Sequence, residues 1–148
     1  MIDTFEEFIS GFKTIEPLSN FQIIDICKEL KIKNFKGVFM RDELGKVDTK
    51  FHKNECMVIN IDHSRNEGSH WTCLFIKNSI SYYFDSYGFP PPAEVVNYCS
   101  EPRYYNSFQI QKDNEVICAH YCIYMLYQLS NGYIFNDILD ELYRHNYE

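Results

Sequence analysis

The chain has 148 residues, of which 45% are hydrophobic and 17% aromatic, so it can bury a core and is not of the disordered class. Its formal net charge of −7 gives no sign of the basic surface that nucleic-acid-binding proteins use, and we expect no such partner. No apolar run is long enough for a membrane-spanning helix, and acidic residues in the first twelve positions argue against a secretory signal.

The six cysteines are expected to be free thiols, because a chain without a secretory signal belongs in a reducing compartment. No internal repeat, low-complexity tract or linker rich in Gly and Ser divides the sequence. We therefore predict a single domain over residues 1–148.

The N-terminal part of the sequence predicts two short helices, each opened by a capping box. Thr4 and Glu7 form the first pair and precede an amphipathic segment that runs to about Phe12. Ser19 and Gln22 form the second pair, and apolar residues recur after them at helical spacing.

The middle of the chain is rich in β-branched and aromatic residues and predicts a sheet. Three consecutive prolines then end the sheet region, because proline cannot donate to a ladder. The predicted segments are a loop over 34–44, strands over 56–61, 70–76 and 80–86, a helix over 93–99 and a strand over 107–111.

The C-terminal part is predicted to be helical. A helix over residues 118–129 has apolar positions at i, i+3, i+4 and i+7 spacing, and Asn131-Gly132 ends it. A last helix over residues 137–144 is expected to be capped by Asp137. Helices, then strands, then helices indicate an α+β fold, with a small mixed sheet flanked by helices.

Cys118 is the best candidate for a nucleophile, because it lies where a polar loop becomes a helix. Unpaired N–H groups and the positive end of the helix dipole favour a thiolate at that position. The other five cysteines lie within predicted strands or helices, where burial makes a thiol inert.

A thiolate nucleophile requires a base, and His70 at the start of a strand is the histidine expected to supply it. The other histidines lie in polar loops, near the C-terminus, or two positions beyond Cys118, where a helical side chain points elsewhere. These are His52, His63, His145 and His120.

Asp85 is expected to orient His70, because a hairpin joins their two strands. A two-residue turn at Lys77-Asn78 would place them directly opposite each other, and one at Asn78-Ser79 would make them diagonal neighbours. In both registers the side chains share one face of the sheet, whereas a three-residue turn would separate them. A carboxylate on that face can fix the tautomer of the imidazole.

An oxyanion site needs hydrogen-bond donors close to the nucleophile. The backbone N–H of Cys118 is one candidate, and the side-chain amide of Gln111, seven residues before the cysteine, is predicted to be the other. Gln109 is the alternative donor, at a spacing of nine residues.

Zinc binding is the main alternative interpretation of the histidines and cysteines in the middle of the chain. His52, Cys56, His63, His70 and Cys73 are all zinc ligand types. None of them forms a C-x-x-C or H-x-x-x-H pair, so we expect no metal site and no cofactor.

Three stretches, GSHWTCLFI, YYFDSYGF and QKDNEVICAHYC, resemble the adenovirus proteinase and, more distantly, the proteases of ubiquitin-like modifiers. The similarity extends over roughly residues 35–129. The resemblance implies a cysteine endopeptidase of this superfamily, from a virus, a virophage or a Maverick/Polinton-type element. It places the functional positions of the family on Cys118, His70, Asp85 and Gln111, with Trp71 as a substrate-binding residue.

The resemblance also implies what is cleaved. Enzymes of this kind cut after small residues, of the Gly-Gly or Gly-Ala type, and the viral branch matures capsid precursors in the virion or the host-cell cytoplasm. The alternatives are a protease that processes a ubiquitin-like modifier and a catalytically silent binding module. An activating peptide is a further expected partner, with Cys99 as the candidate tether. Ala119 replaces the glycine that usually follows the nucleophile.

Overall fold

The computed structural model describes residues 2–47, 53–66, 69–99 and 103–148. Five strands form one mixed sheet in the order β1-β2-β3-β4-β5, in which the two inner pairings are antiparallel and the two outer ones parallel. This architecture confirms the predicted α+β fold with a small mixed sheet. The strands are β1 Phe35–Met40, β2 Glu55–Asn60, β3 Trp71–Lys77, β4 Ile80–Phe84 and β5 Arg103–Tyr105.

Helices flank the sheet, and the helix that begins at Cys118 is the central one, because it packs on β3 and is buried over most of its length. Within the described residues, no helix combines the length and the apolar character needed to cross a membrane. The helices are α1 Phe5–Ser10, α2 Asn20–Glu29, a 3-10 helix Arg41–Lys46, α3 Ala93–Tyr98, α4 Cys118–Ser130 and α5 Phe135–Tyr147.

The two predicted N-terminal caps are present. The Thr4 hydroxyl accepts a hydrogen bond from the Glu7 N–H at 3.2 Å. The Ser19 hydroxyl accepts from the Gln22 N–H at 3.2 Å, and the Gln22 side chain accepts from the Ser19 N–H at 2.8 Å. These three bonds satisfy N–H groups that the start of a helix leaves without partners. The Ser19–Gln22 pair forms the full predicted capping box, whereas the Glu7 carboxylate accepts from the Thr4 hydroxyl instead of the Thr4 N–H.

Both faces of the sheet are covered. Cys73 and Phe75 point to the core beneath α4, whereas Leu74 and Ile76 point to a second core, which α3 and the 3-10 helix close. β2 is buried at all six positions for the same reason. The sheet is therefore held from both sides, which fixes the ends of β3 and β4, where the candidate site lies.

Three predictions about secondary structure were wrong. Residues 34–44 contain β1 and the start of the 3-10 helix instead of a loop, because Gly37, at φ 138°, lies at a register shift that hides the strand pattern. The strand predicted over residues 107–111 is not formed, and the strand in this part of the chain is β5, which ends at Tyr105. Helix α5 starts at Phe135, two residues before the predicted cap.

Candidate active site

His70 and Asp85 lie just beyond the paired ends of β3 and β4. Lys77 pairs with Ile80, so the turn consists of two residues with φ of 52° and 68°, and the hairpin has the second of the two predicted registers. The two side chains are diagonal neighbours on one face, and the distance from His70 Nε2 to Asp85 Oδ1 is 2.7 Å. Both residues are buried, so water competes little for this hydrogen bond.

Asn106 holds the main chain of Asp85 in place. Its Oδ1 accepts from the Asp85 N–H at 3.1 Å, and its Nδ2 donates to the Asp85 carbonyl at 2.6 Å. The N–H of Tyr87 donates to Asp85 Oδ1 at 2.8 Å, which fixes the carboxylate as well. Sequence reasoning missed Asn106, since no spacing or motif links it to Asp85.

The turn after Asp85 brings two further residues to the site. Gly88 N–H donates to the Asp85 carbonyl at 2.8 Å, and a side chain at Gly88 would lie 2.5 Å from the main chain of Phe108. Only glycine permits this close approach, which is reinforced by its φ of 81°. The turn stacks the ring of Tyr87 on His70, with centroids 4.6 Å apart. Sequence reasoning missed Tyr87, although an aromatic residue two positions after a candidate triad aspartate was an available signal.

Cys118 is the first residue of α4 and is partly exposed, whereas the other five cysteines are buried free thiols. Its sulfur accepts a hydrogen bond from the Trp71 N–H at 3.5 Å, and the thiol is close enough to His70 to help raise the pKa of the imidazole. Because Asp85 occupies Nε2 of the imidazole, the other ring nitrogen is the one available to the thiol. The three predicted side chains therefore lie together, with His70 bonded to Asp85 on one side and sharing a cavity with Cys118 on the other.

The environment of His70 favours the charged imidazole. Burial alone would lower the pKa of His70, but hydrogen bonds and charge interactions with Asp85 and Cys118 outweigh burial and raise the pKa to about 9. At neutral pH His70 is therefore an imidazolium. A charged imidazole at this place can give a proton to the leaving group of a substrate.

Gln111 is buried next to the triad and its side chain is fixed at both ends. The Ser86 hydroxyl donates to Oε1 at 2.6 Å, and Nε2 donates to the Glu115 carbonyl at 2.8 Å. The second Nε2 hydrogen makes only a long contact of 3.4 Å with the Tyr87 hydroxyl, so it is able to bond a better acceptor that enters the site. Gln109, the alternative, is exposed and donates to the Gln111 carbonyl and to an aspartate.

A cavity of about 530 Å³ opens over these residues. The cavity is lined by Cys118, His70, Gln111 and Trp71. The thiol, the imidazole and the side-chain amide therefore face one space. Ala119 also lines the cavity next to Cys118, and its methyl group takes up space that a glycine at this position would leave open. Residues 17–20 and part of β1 line the same cavity.

The remaining candidate ligands and thiols lie elsewhere. Within the described residues, no group of three His, Cys, Asp or Glu side chains is arranged to hold a metal ion, and His52 lies outside those residues. His120 packs in the core against Phe12, with ring centroids 4.7 Å apart. Cys99 is buried against the second core, beneath α3.

No protein-family profile and no curated protein matches the chain. Its fold is similar to that of the ASFV pS273R protease, whose crystal structure superposes with a TM-score of 0.62 at 16% identity. The selenomethionine form of the same protease gives 0.60 at 18% identity. Each match covers 88% of this chain but 66% of the protease, so the chain spans just under two thirds of its length. At these identities the likeness establishes the fold: a mixed sheet with flanking helices.

Proposed function

We propose that the chain is a cysteine endopeptidase in which Cys118 is the nucleophile, His70 the acid and base, and Asp85 the residue that orients His70. The observation that carries the proposal is that His70, hydrogen-bonded to the buried Asp85, lines the same cavity as the partly exposed Cys118. A fold like that of a viral protease supports it. A silent binding module would require an occluded cleft, and Cys118 lines an open one.

The first half of the reaction forms a thioester. The Cys118 thiolate attacks the carbonyl carbon of the scissile bond, and the resulting oxyanion is bound by the N–H of Cys118 and by Gln111 Nε2. When the C–N bond breaks, the His70 imidazolium gives its proton to the leaving amine. The N–H of the first helical residue has no partner within α4, so it is free to donate to the oxyanion.

Hydrolysis completes the cycle. His70, now neutral, removes a proton from a water molecule that attacks the thioester carbonyl. The thiolate of Cys118 leaves as the carboxylic acid product forms, and the imidazolium is restored. Loss of one oxyanion donor raises a barrier of this kind by about 3 kcal/mol, so Gln111→Leu should lower kcat about 100-fold.

For the substrate, we propose peptide bonds that follow small residues, of the Gly-Gly or Gly-Ala type, in capsid or virion precursors. This part rests on the sequence resemblance, and Trp71 and Ala119 line the cavity in which such residues would bind. Residues 1–148 would act as one protease domain, in the virion or the host-cell cytoplasm. The alternative substrate is a ubiquitin-like modifier joined to lysine.

A peptide vinyl sulfone that ends in Gly-Gly tests the nucleophile directly, with the adduct read by intact mass. We expect one adduct in the wild type and in Cys56→Ala, none in Cys118→Ala, and slow labelling in His70→Ala. A probe made from a ubiquitin-like modifier then separates the two substrate classes. Adducts spread over several cysteines, or an adduct that survives in Cys118→Ala, would refute the proposal.

A further inference from the structure

The main-chain groups of Trp71 point away from β2. Trp71 lies opposite Asn60. The next pair along, Ile61 and His70, is joined by a hydrogen bond from the Ile61 N–H to the His70 carbonyl at 3.0 Å. In an antiparallel ladder this pattern marks a pair without mutual hydrogen bonds, so the N–H and C=O of Trp71 face the β4 side. The β3–β4 ladder, however, starts only at Cys73. The two groups therefore need partners other than a strand.

Two thiols of α4 take the place of the missing strand. The Trp71 N–H donates to Cys118 Sγ at 3.5 Å, and Cys122 Sγ donates to the Trp71 carbonyl at 3.4 Å. Cys118 and Cys122 are one helical turn apart and thus face the same side of α4. Helix α4 is therefore fixed at two points to the residue that directly follows His70.

We propose that Cys122 is a positioning residue, which keeps the sulfur of Cys118 against the Trp71 N–H and within reach of His70. Its catalytic consequence rests on the proposed function, but the geometry itself does not. An N–H donor at the sulfur stabilises the thiolate relative to the thiol, because a hydrogen bond to a charged acceptor is stronger than one to a neutral acceptor. Cys122 thus acts on the nucleophile through the main chain of Trp71.

Cys122 is suited to this role because it keeps its proton. Its side chain is fully buried, and burial raises the pKa of the Cys122 thiol well above its usual range. The thiol therefore remains a neutral donor to the Trp71 carbonyl. It also places no second negative charge one turn away from Cys118, where such a charge would oppose the thiolate.

Three variants separate positioning from ordinary packing. Cys122→Val keeps an apolar side chain of suitable size but removes the donor, and Cys122→Ser keeps a donor. Cys56→Ala is the matched control, because the Cys56 thiol is buried in the same core and lies 3.5 Å from a main-chain carbonyl, that of Lys33. Thermal unfolding of each variant measures how much stability it loses.

The readout is the rate at which iodoacetamide alkylates Cys118 between pH 5 and pH 9, followed by peptide mass. This assay does not depend on peptide cleavage. We expect the rate at pH 6, relative to that at pH 9, to fall about 3- to 10-fold in Cys122→Val, because the sulfur loses a well-placed N–H donor. Cys122→Ser should restore most of it, and Cys56→Ala should match the wild type. With a cleavable peptide, kcat should fall more than KM changes.

The outcomes decide between the two proposals. If Cys122→Val has the wild-type pH profile and loses only as much stability as Cys56→Ala, Cys122 is a core residue and the inference is wrong. The inference is equally overturned if wild-type Cys118 is alkylated with the pH profile of a free cysteine in a short peptide. A displaced profile in Cys122→Val, in a protein that cleaves no peptide, would support the inference while refuting the proposed function.

Discussion

Replacement of Asn106 by alanine should damage both the stability of the fold and the geometry of the site. Asn106 makes three hydrogen bonds with main-chain groups: with the Asp85 N–H at 3.1 Å, the Asp85 carbonyl at 2.6 Å and the Phe108 carbonyl at 3.2 Å. Each group left without a partner costs about 1–3 kcal/mol when water cannot replace it. The Asp85 carbonyl keeps its bond from the Gly88 N–H, so two groups lose their partner and we expect Asn106→Ala to lower the free energy of unfolding by about 2–4 kcal/mol.

The same change should lower kcat, because the Asp85 N–H loses its partner and the Asp85 carbonyl keeps only the bond from the Gly88 N–H. A carboxylate that moves takes the imidazole of His70 with it, and a displacement of about 1 Å in a reacting group can cost about 100-fold. The assay is kcat and KM on a Gly-Gly peptide substrate, together with urea denaturation followed by circular dichroism. We expect kcat to fall between about 10- and 100-fold, with KM little changed.

Gln128→Ala is the matched control for this experiment. Gln128 is another buried amide, which donates to the Tyr124 hydroxyl at 3.0 Å and to the Asp3 carbonyl at 3.3 Å. It lies ten residues along α4 from Cys118, or about 15 Å at the helical rise. Equal loss of stability in the two variants, with kcat of Asn106→Ala as high as that of Gln128→Ala, would refute the proposal that Asn106 positions Asp85.

Three further predictions concern pH and packing. The value of kcat/KM should fall as pH rises through about 9, where the His70 imidazolium loses its proton, and Asp85→Asn should move this fall to lower pH; an unmoved limb would contradict the assignment. His120 is fully buried, neither ring nitrogen has a hydrogen-bond partner among the residues that the structure describes, and burial lowers its pKa to about 4. Between about pH 6.5 and 4 the unfolded state therefore binds a proton that the folded state does not, and the free energy of unfolding falls by about 3 kcal/mol as the pH is lowered. His120→Leu should remove this fall, as measured by urea denaturation at the two pH values. Gly88→Ala should lower the free energy of unfolding by about 2–5 kcal/mol, measured by urea denaturation. Gly132→Ala, which also has positive φ but no atom of the described residues within 4 Å of the added side chain, should lower it by about 1–2 kcal/mol, and equal losses would show that the contact with Phe108 is not the cause.

The pairing of His70 with Asp85 could be predicted from the sequence because side-chain direction in a strand has a period of two. Any two-residue turn in the hairpin places both on one face. The register itself could not be chosen, since it depends on positive φ at both Asn78 and Ser79, and only the asparagine is a residue commonly found there. The start of α4 at Cys118 was predictable for a similar local reason, the change from a polar loop to helical spacing.

Other parts of the structure depend on contacts that the sequence does not encode locally. The edge strand β1 is half-buried at every position, so it has no alternating pattern, and its pairing with β2 decides its conformation. The site role of Asn106 arises from the close approach of two loops at Gly88, and nothing in the sequence around Asn106 indicates it. Parallel pairing and loop–loop contacts both join distant residues, which single-sequence patterns do not report.

The end of the β3–β4 ladder is the feature that unites the parts of the site. β4 stops at Phe84, and the chain then turns away, which leaves the main chain of Trp71 without a strand partner. The N-terminus of α4 fills that gap, so the helix end that favours a thiolate is brought to the residue that follows His70. The carbonyl of Ser86 is also released from the ladder and instead accepts from the N–H groups of Ile110 and Gln111, which brings the amide donor to the same place. One interruption of strand pairing thus brings together the proposed nucleophile, base and oxyanion donor.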